Sequence, residues 1–336
     1  MRAAEYRTEA LLFESARLSI LEMRMIGRER MERLLEAEDV ECCVRMLSEY
    51  GVGIKRDADG TFLREETLSA RLREVYAELF SEEKSPKFLT LWLYPYDCNN
   101  LKLAIKCGQR GIDCRDMLFD CGTVDAGKLL DMVSCRRYEE LPERLAAAAE
   151  EASAQLAKVG DPQVVDFLLD RACYELMTKT ARESGSEFVI SLLRTKVDLT
   201  NLTVCIRLMR MTGAERVQRL LEQVYLPGGS FSLEELAALC IGGEEQLWQS
   251  LRKSDYAAFA QGLGVESSLS RIELAADNCL IDMLKAGRQA SFGAEMLIGY
   301  LLGSEYEVRN LRILLSGIEI GLPKAALRER IRNSYV

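Results

Sequence analysis

Three stretches of the chain repeat one pattern of apolar and polar positions. In each, an acid is followed three residues later by asparagine and then leucine: Asp97-Cys98-Asn99-Asn100-Leu101, Asp198-Leu199-Thr200-Asn201-Leu202 and Glu307-Val308-Arg309-Asn310-Leu311. Apolar or small residues then recur at i, i+3, i+4 and i+7, the spacing of one helical face. They are Leu101, Ala104, Ile105 and Gly108; Leu202, Cys205, Ile206 and Met209; and Leu311, Leu314, Leu315 and Ile318. A glycine stands where each helix should stop, at Gly111, Gly213 and Gly321, because glycine accepts the left-handed backbone of a helix C-terminus. Asn100 and Asn201 are 101 residues apart, Asn201 and Asn310 109. Such spacing is too long for armadillo-type solenoids, whose period is about 40–47 residues.

The flanking segments repeat as well. Upstream of each asparagine helix runs an apolar stripe at helical spacing: Leu72, Val75, Tyr76, Leu79 and Phe80; Val165, Leu168, Leu169, Ala172, Cys173 and Leu176; and Ile272, Ala275, Ala276, Cys279, Leu280, Met283 and Leu284. The middle stripe opens on Asp161-Pro162, an N-cap followed by proline at the first helical position. Between stripe and asparagine helix lies an apolar run, residues 88–93, 188–193 and 296–302. Each module therefore reads as an outer helix, a second helix and an asparagine helix. The expected division is an N-terminal region with the first module over 1–151, a second module over 152–262 and a third over 263–336. The first two modules carry trailing helical stretches after their asparagine helices, and the third ends soon after its own. Residues 28–50 resemble those trailing stretches, with Arg33-Leu34-Leu35 echoing Arg219-Leu220-Leu221. The chain is thus expected to close on itself, residues 28–50 packing beside 307–336.

The motif itself has a physical reading. An acid at a helix start is favoured as N-cap or by the helix dipole. Asparagine is a poor interior helix former, so its threefold recurrence calls for a side-chain hydrogen bond. Asn100, Asn201 and Asn310 either lock each bundle internally or line an opening made by the three modules. Basic residues follow the motifs: Lys102 and Lys106, Arg207 and Arg210, Arg309 and Arg312.

Composition removes most chemistry. There is no histidine, which excludes Ser-His and Cys-His sites and histidine metal sites together. No CxxC pair exists among the eleven cysteines, which are expected to be reduced, buried thiols. Gly122–Lys128 has the spacing of a phosphate loop, but Leu129 replaces the Ser or Thr that would hold Mg²⁺ and no strand precedes it. Pro227-Gly228-Gly229 has no lysine after it and reads as a tight surface loop. The net charge of −9 argues against nucleic acid as a partner. Residues 10–26 form an amphipathic helix interrupted by charges, and no uncharged apolar window reaches about 18 residues. The expected fold class is all-α, the expected protein soluble.

The ordered set of motifs resembles the central-stalk C subunit of rotary V/A-type ATPases, whose counterpart in eukaryotic vacuolar ATPases is the d subunit. The three acid–asparagine segments carry it, together with Asp161-Pro162 through Asp170, Glu32–Ala37, Met46–Gly51 and the closing Arg330-Ile331-Arg332-x-x-Tyr335-Val336. The resemblance covers essentially the whole chain; the cysteine richness is its one departure. It implies three similar helical bundles about a pseudo-threefold axis, funnel-shaped. It implies a non-catalytic subunit without cofactors, which receives the central-stalk shaft (D/F type) in a socket and sits on the membrane proteolipid (c/K) ring. The protein is then peripheral on the cytoplasmic face, coupling rotation to H⁺ or Na⁺ transport. The candidate shaft-binding residues are Asp97, Asn100, Lys102, Asp198, Asn201, Arg207, Glu307, Asn310 and Arg312. The alternative is a generic helical adaptor unrelated to rotary motors.

Overall fold

A computed structural model describes residues 16–80, 86–212, 214–289 and 293–336. Among the described residues the architecture is all-helical, and the only extended pairing is a single bridge between Arg56 and Phe62. The chain forms two compact units, residues 86–253 and residues 1–85 with 254–336.

The 86–253 unit contains the first asparagine helix, Tyr94–Arg110, and the second, Glu187–Met211. The stripe beginning at Val165 belongs to the outer helix Gln163–Ser184. That helix starts one residue later than the sequence places it, with Pro162 as its N-cap and the Asp161 carboxylate accepting from the Gln163 amide at 2.9 Å. Leu101, Leu145, Leu169, Leu202 and Trp248 are fully buried in this unit's core. The first asparagine helix packs on the outer helix of the second module. Lys102–Asp170 at 2.5 Å and Lys106–Asp166 at 2.6 Å run along the seam.

The other unit holds the third asparagine helix, Ala294–Glu319, the helix Leu269–Gly287, and the N-terminal helices Arg28–Leu35, Val40–Glu49 and Arg64–Leu79. Here the third asparagine helix packs on Arg64–Leu79, the outer helix of the first module. Arg71–Glu307 and Arg64–Glu319, each 2.7 Å, and Arg312 Nε–Glu65 at 2.9 Å tie them together. The chain closes as expected. Lys324 pairs with Glu36 at 3.0 Å, and Arg328 reaches Glu32 at 3.2 Å and also Glu36. The ring of Tyr335 fills the space that side chains at Gly299 and Gly303 would take, and its hydroxyl donates to Glu22 at 2.8 Å.

Two expectations need correction. Asp198 and Glu307 do not start helices; they lie well inside Glu187–Met211 and Ala294–Glu319. No proline separates the apolar runs 188–193 and 296–302 from the motifs, so run and motif fuse into one helix, which continues through Gly303 in the third module. Only the first module has Pro95, which lacks an N–H and is tolerated in a first turn. There the short helix Lys87–Thr90 ends and a new helix begins at Tyr94, leaving Asp97 in its first turn. The dipole therefore accounts for one of the three acids only. Gly111 ends its helix with φ 65° and Gly321 follows the third with φ 70°. Gly213 lies outside the described residues, as do residues 10–15 of the N-terminal amphipathic stretch; residues 16–22 are helical. All eleven cysteines are free thiols, eight of them buried.

Candidate interaction site: three carboxylate–asparagine brackets

A buried asparagine must satisfy both ends of its amide, and all three do so identically. Asn100 Nδ2 donates to the Phe119 carbonyl at 2.8 Å, while its Oδ1 accepts from the Phe119 amide at 3.0 Å. Asn201 holds Leu226 with the same two bonds, 2.8 and 3.0 Å. Asn310 holds Arg332 with 3.0 and 2.9 Å. Each side chain thus mimics a strand partner for one residue of a returning loop. The three asparagines are 3%, 1% and 1% exposed.

The acids hold the next stretch. Asp97 accepts from the Thr123 amide at 3.0 Å, the Thr123 hydroxyl at 2.6 Å and the Val124 amide at 3.2 Å. Asp198 accepts from the Ser230 amide at 2.8 Å and the Phe231 amide at 3.3 Å. Successive amides aimed at one anion form a small nest, and a glycine makes room for it. A Cβ at Gly122 would stand 2.0 Å from Asp97 Oδ1, and one at Gly229 2.2 Å from Asp198 Oδ1. The loop with phosphate-loop spacing therefore turns its amides onto an internal carboxylate. Its Asp125 caps the helix Ala126–Cys135 by accepting from the Lys128 amide at 2.9 Å. Pro227-Gly228-Gly229, a plain surface loop by sequence, is the second such cradle. Burial pushes the Asp97 carboxyl up, against the pull of its Thr123 and Val124 donors.

The third bracket is completed by the other end of the chain. Glu307 accepts from the Ile26 amide and from Arg71 Nη2 at 2.7 Å. Gly27 follows, and a Cβ there would meet the Val336 carbonyl oxygen at 3.2 Å. In all three modules a helix begins within a few residues of the held amide: Ala126–Cys135, Leu233–Gly242 and Arg28–Leu35. The N-terminal helix thus stands where the third module's trailing helix would be.

The basic candidates divide. Lys102 lies in the seam with Asp170; burial opposes its charge, yet Cys98, Asp170 and Asp166 hold its pKa above the ordinary lysine value. Arg312 bonds Glu65 and the Ser69 hydroxyl. Arg207 is exposed on the second asparagine helix. The loop residues Phe119, Leu226 and Arg332 escaped sequence reasoning because they act through main-chain atoms. The glycines before Thr123 and Ser230 were the available signal.

The family described as ATP synthase (C/AC39) subunit matches residues 15–330. The chain belongs to that family. A C/AC39 chain is a non-catalytic subunit of a V/A-type rotary ATPase, and no helix among its described residues is long and apolar enough to cross a membrane. Similar C/AC39 relatives include the C subunit of the V-type sodium ATPase of Enterococcus hirae, 22% identical over 94% of this chain and 95% of the relative. The C subunit of the A-type ATP synthase of Thermococcus kodakarensis is 23% identical over 94% of this chain and 89% of its own length. That of Haloquadratum walsbyi is 24% identical over 88% of both.

Proposed function

We propose that this C/AC39 chain is the central-stalk component that couples the rotating shaft (D/F type) to the membrane proteolipid (c/K) ring. It is then peripheral to the membrane, on the cytoplasmic face. The observation that carries the reading is the triple bracket. Two loops each held by a buried acid and a buried asparagine, and a third such pair that ties both the C-terminal stretch and the N-terminal segment to one helix, are what a torque-bearing protein needs, because load must pass through the chain without shearing its loops. Two seams follow one rule, the asparagine helix of one module on the outer helix of the next: first on second, third on first. That recurring rule supports reading 1–151, 152–262 and 263–336 as three similar modules.

In this reading Asp97, Asn100, Asp198, Asn201, Glu307 and Asn310 act on the shaft through the loops they hold. Lys102 and Arg312 stiffen the seams, and Arg207 offers an exposed cation to the shaft's polar groups. One relative is named as part of a sodium ATPase; ion-binding carboxylates would lie in the ring, so the choice of H⁺ or Na⁺ belongs there. The test is capture of candidate shaft subunits by the full chain. Arg207→Glu should weaken capture about tenfold, a loss of roughly 1.4 kcal/mol. Failure of the unmodified chain to capture any shaft or ring subunit of its own complex would overturn the reading.

A further inference from the structure

The third bracket differs from the other two in its donors. Asp97 and Asp198 each accept from two successive loop amides, Thr123 and Val124 or Ser230 and Phe231. Glu307 accepts from one amide only, that of Ile26, and takes its remaining bonds from Arg71. Arg71 Nε and Nη2 both reach Oε1, at 3.2 and 2.7 Å. A carboxylate offers about four acceptor positions, two on each oxygen. Those on Oε1 are both used, whereas Oε2 carries the Ile26 bond alone among the described residues. Asn310 Oδ1 also carries a single bond, from the Arg332 amide at 2.9 Å.

The tail beside this bracket has the opposite imbalance. Residues 331–336 run without helix or strand, so their amides have no ladder to join. The Asn333 amide donates to Asn278 at 2.7 Å. Those of Ser334 and Tyr335 reach no acceptor among the described residues. Tyr335 is 3% exposed, and its hydroxyl fixes it to Glu22. A buried amide is rarely left without a partner. Spare acceptors and spare donors face one small cavity, which leaves about 10 Å³ for the centre of a water molecule. Ile26, Glu307, Asn310, Ser334 and Tyr335 line it, with Met31 on an apolar side. One interior water needs roughly that room and about two to four polar partners.

We propose that a single ordered water molecule completes the third bracket, donating to Glu307 Oε2 and Asn310 Oδ1 and accepting from the Tyr335 amide. A neutral ligand suits the site, because Arg71 already balances the Glu307 charge and an anion would face that carboxylate. The water stands where the second loop amide stands in the other brackets. It joins the carboxylate that holds Ile26 to the tail, so both ends of the chain are bonded through one site.

The test is a crystal structure of the full, unmodified chain at a resolution that shows ordered water, paired with amide NMR in solution. Density for one water within hydrogen-bond reach of Glu307, Asn310 and the Tyr335 amide is expected. In solution the Tyr335 amide should receive magnetisation from a long-lived water, with NOE and ROE of opposite sign. The Leu226 amide, bonded directly to Asn201 in the second bracket, should receive none. A Tyr335 amide bonded straight to a protein acceptor, or a neighbouring side chain filling the cavity, would overturn the proposal. So would density in the crystal without the long-lived signal in solution, or equal signals at Tyr335 and Leu226.

Discussion

Asn201 makes two hydrogen bonds to a single residue, Leu226, and both sets of atoms are buried. Asn201→Ala leaves a main-chain amide and a carbonyl unsatisfied in the interior. That should destabilise the chain by about 2–4 kcal/mol, measured by denaturant unfolding. Asn201→Asp should be worse at neutral pH, because a carboxylate would face the Leu226 carbonyl. A loss below that of Ala would show that the donor end is dispensable. Gly229→Ala should destabilise by about 2–4 kcal/mol, since a Cβ 2.2 Å from Asp198 Oδ1 displaces the carboxylate from its amides. The need for a buried partner was legible in the sequence, because asparagine inside a helix demands one. Which residue supplies it was not. The partner atoms are backbone, and the returning loops differ in length between modules.

At the scale of elements, the apolar period located every outer and asparagine helix, and glycine located two of the stops within the described residues. What it misjudged was continuity. Without a proline equivalent to Pro95, the second and third asparagine helices absorb the helix before them and carry their acids inside. The closure of the N-terminal helix Arg28–Leu35 on Lys324–Arg328 was legible from the echo of Arg33-Leu34-Leu35, and it rests on exposed ion pairs. Arg328 and Lys324 hold the Glu36 carboxyl below its ordinary value of 4.5. A depressed carboxyl pKa stabilises the folded state fully above the unfolded value and loses that contribution as pH falls through the folded one. Amide exchange in residues 28–35 should therefore quicken as pH falls below about 4.5, after correction for the intrinsic pH dependence of exchange. Glu36→Gln should exchange faster at neutral pH and lose most of this extra pH dependence. Identical corrected profiles for both chains would contradict the assignment of Glu36 as the closing contact.

For the whole molecule, the repeat was the most informative feature of the sequence, and the same two-bond asparagine contact recurs at Asn100, Asn201 and Asn310. The sequence placed residues 28–50 beside the third module but was silent on the bond that completes its bracket, because the main-chain donor to Glu307 is Ile26, nearly the whole chain away. Helix-terminal patterns report on near neighbours only, so a bracket assembled from both chain ends leaves no local trace. The central claim is that this chain bridges shaft and ring. The direct measurement is size-exclusion chromatography of shaft and detergent-solubilised ring subunits from the same complex, with and without the chain. One peak containing all three components is expected when the chain is present, and separate shaft and ring peaks when it is left out. Shaft and ring that co-elute equally well without it, or a chain that elutes alone beside them, would contradict that claim.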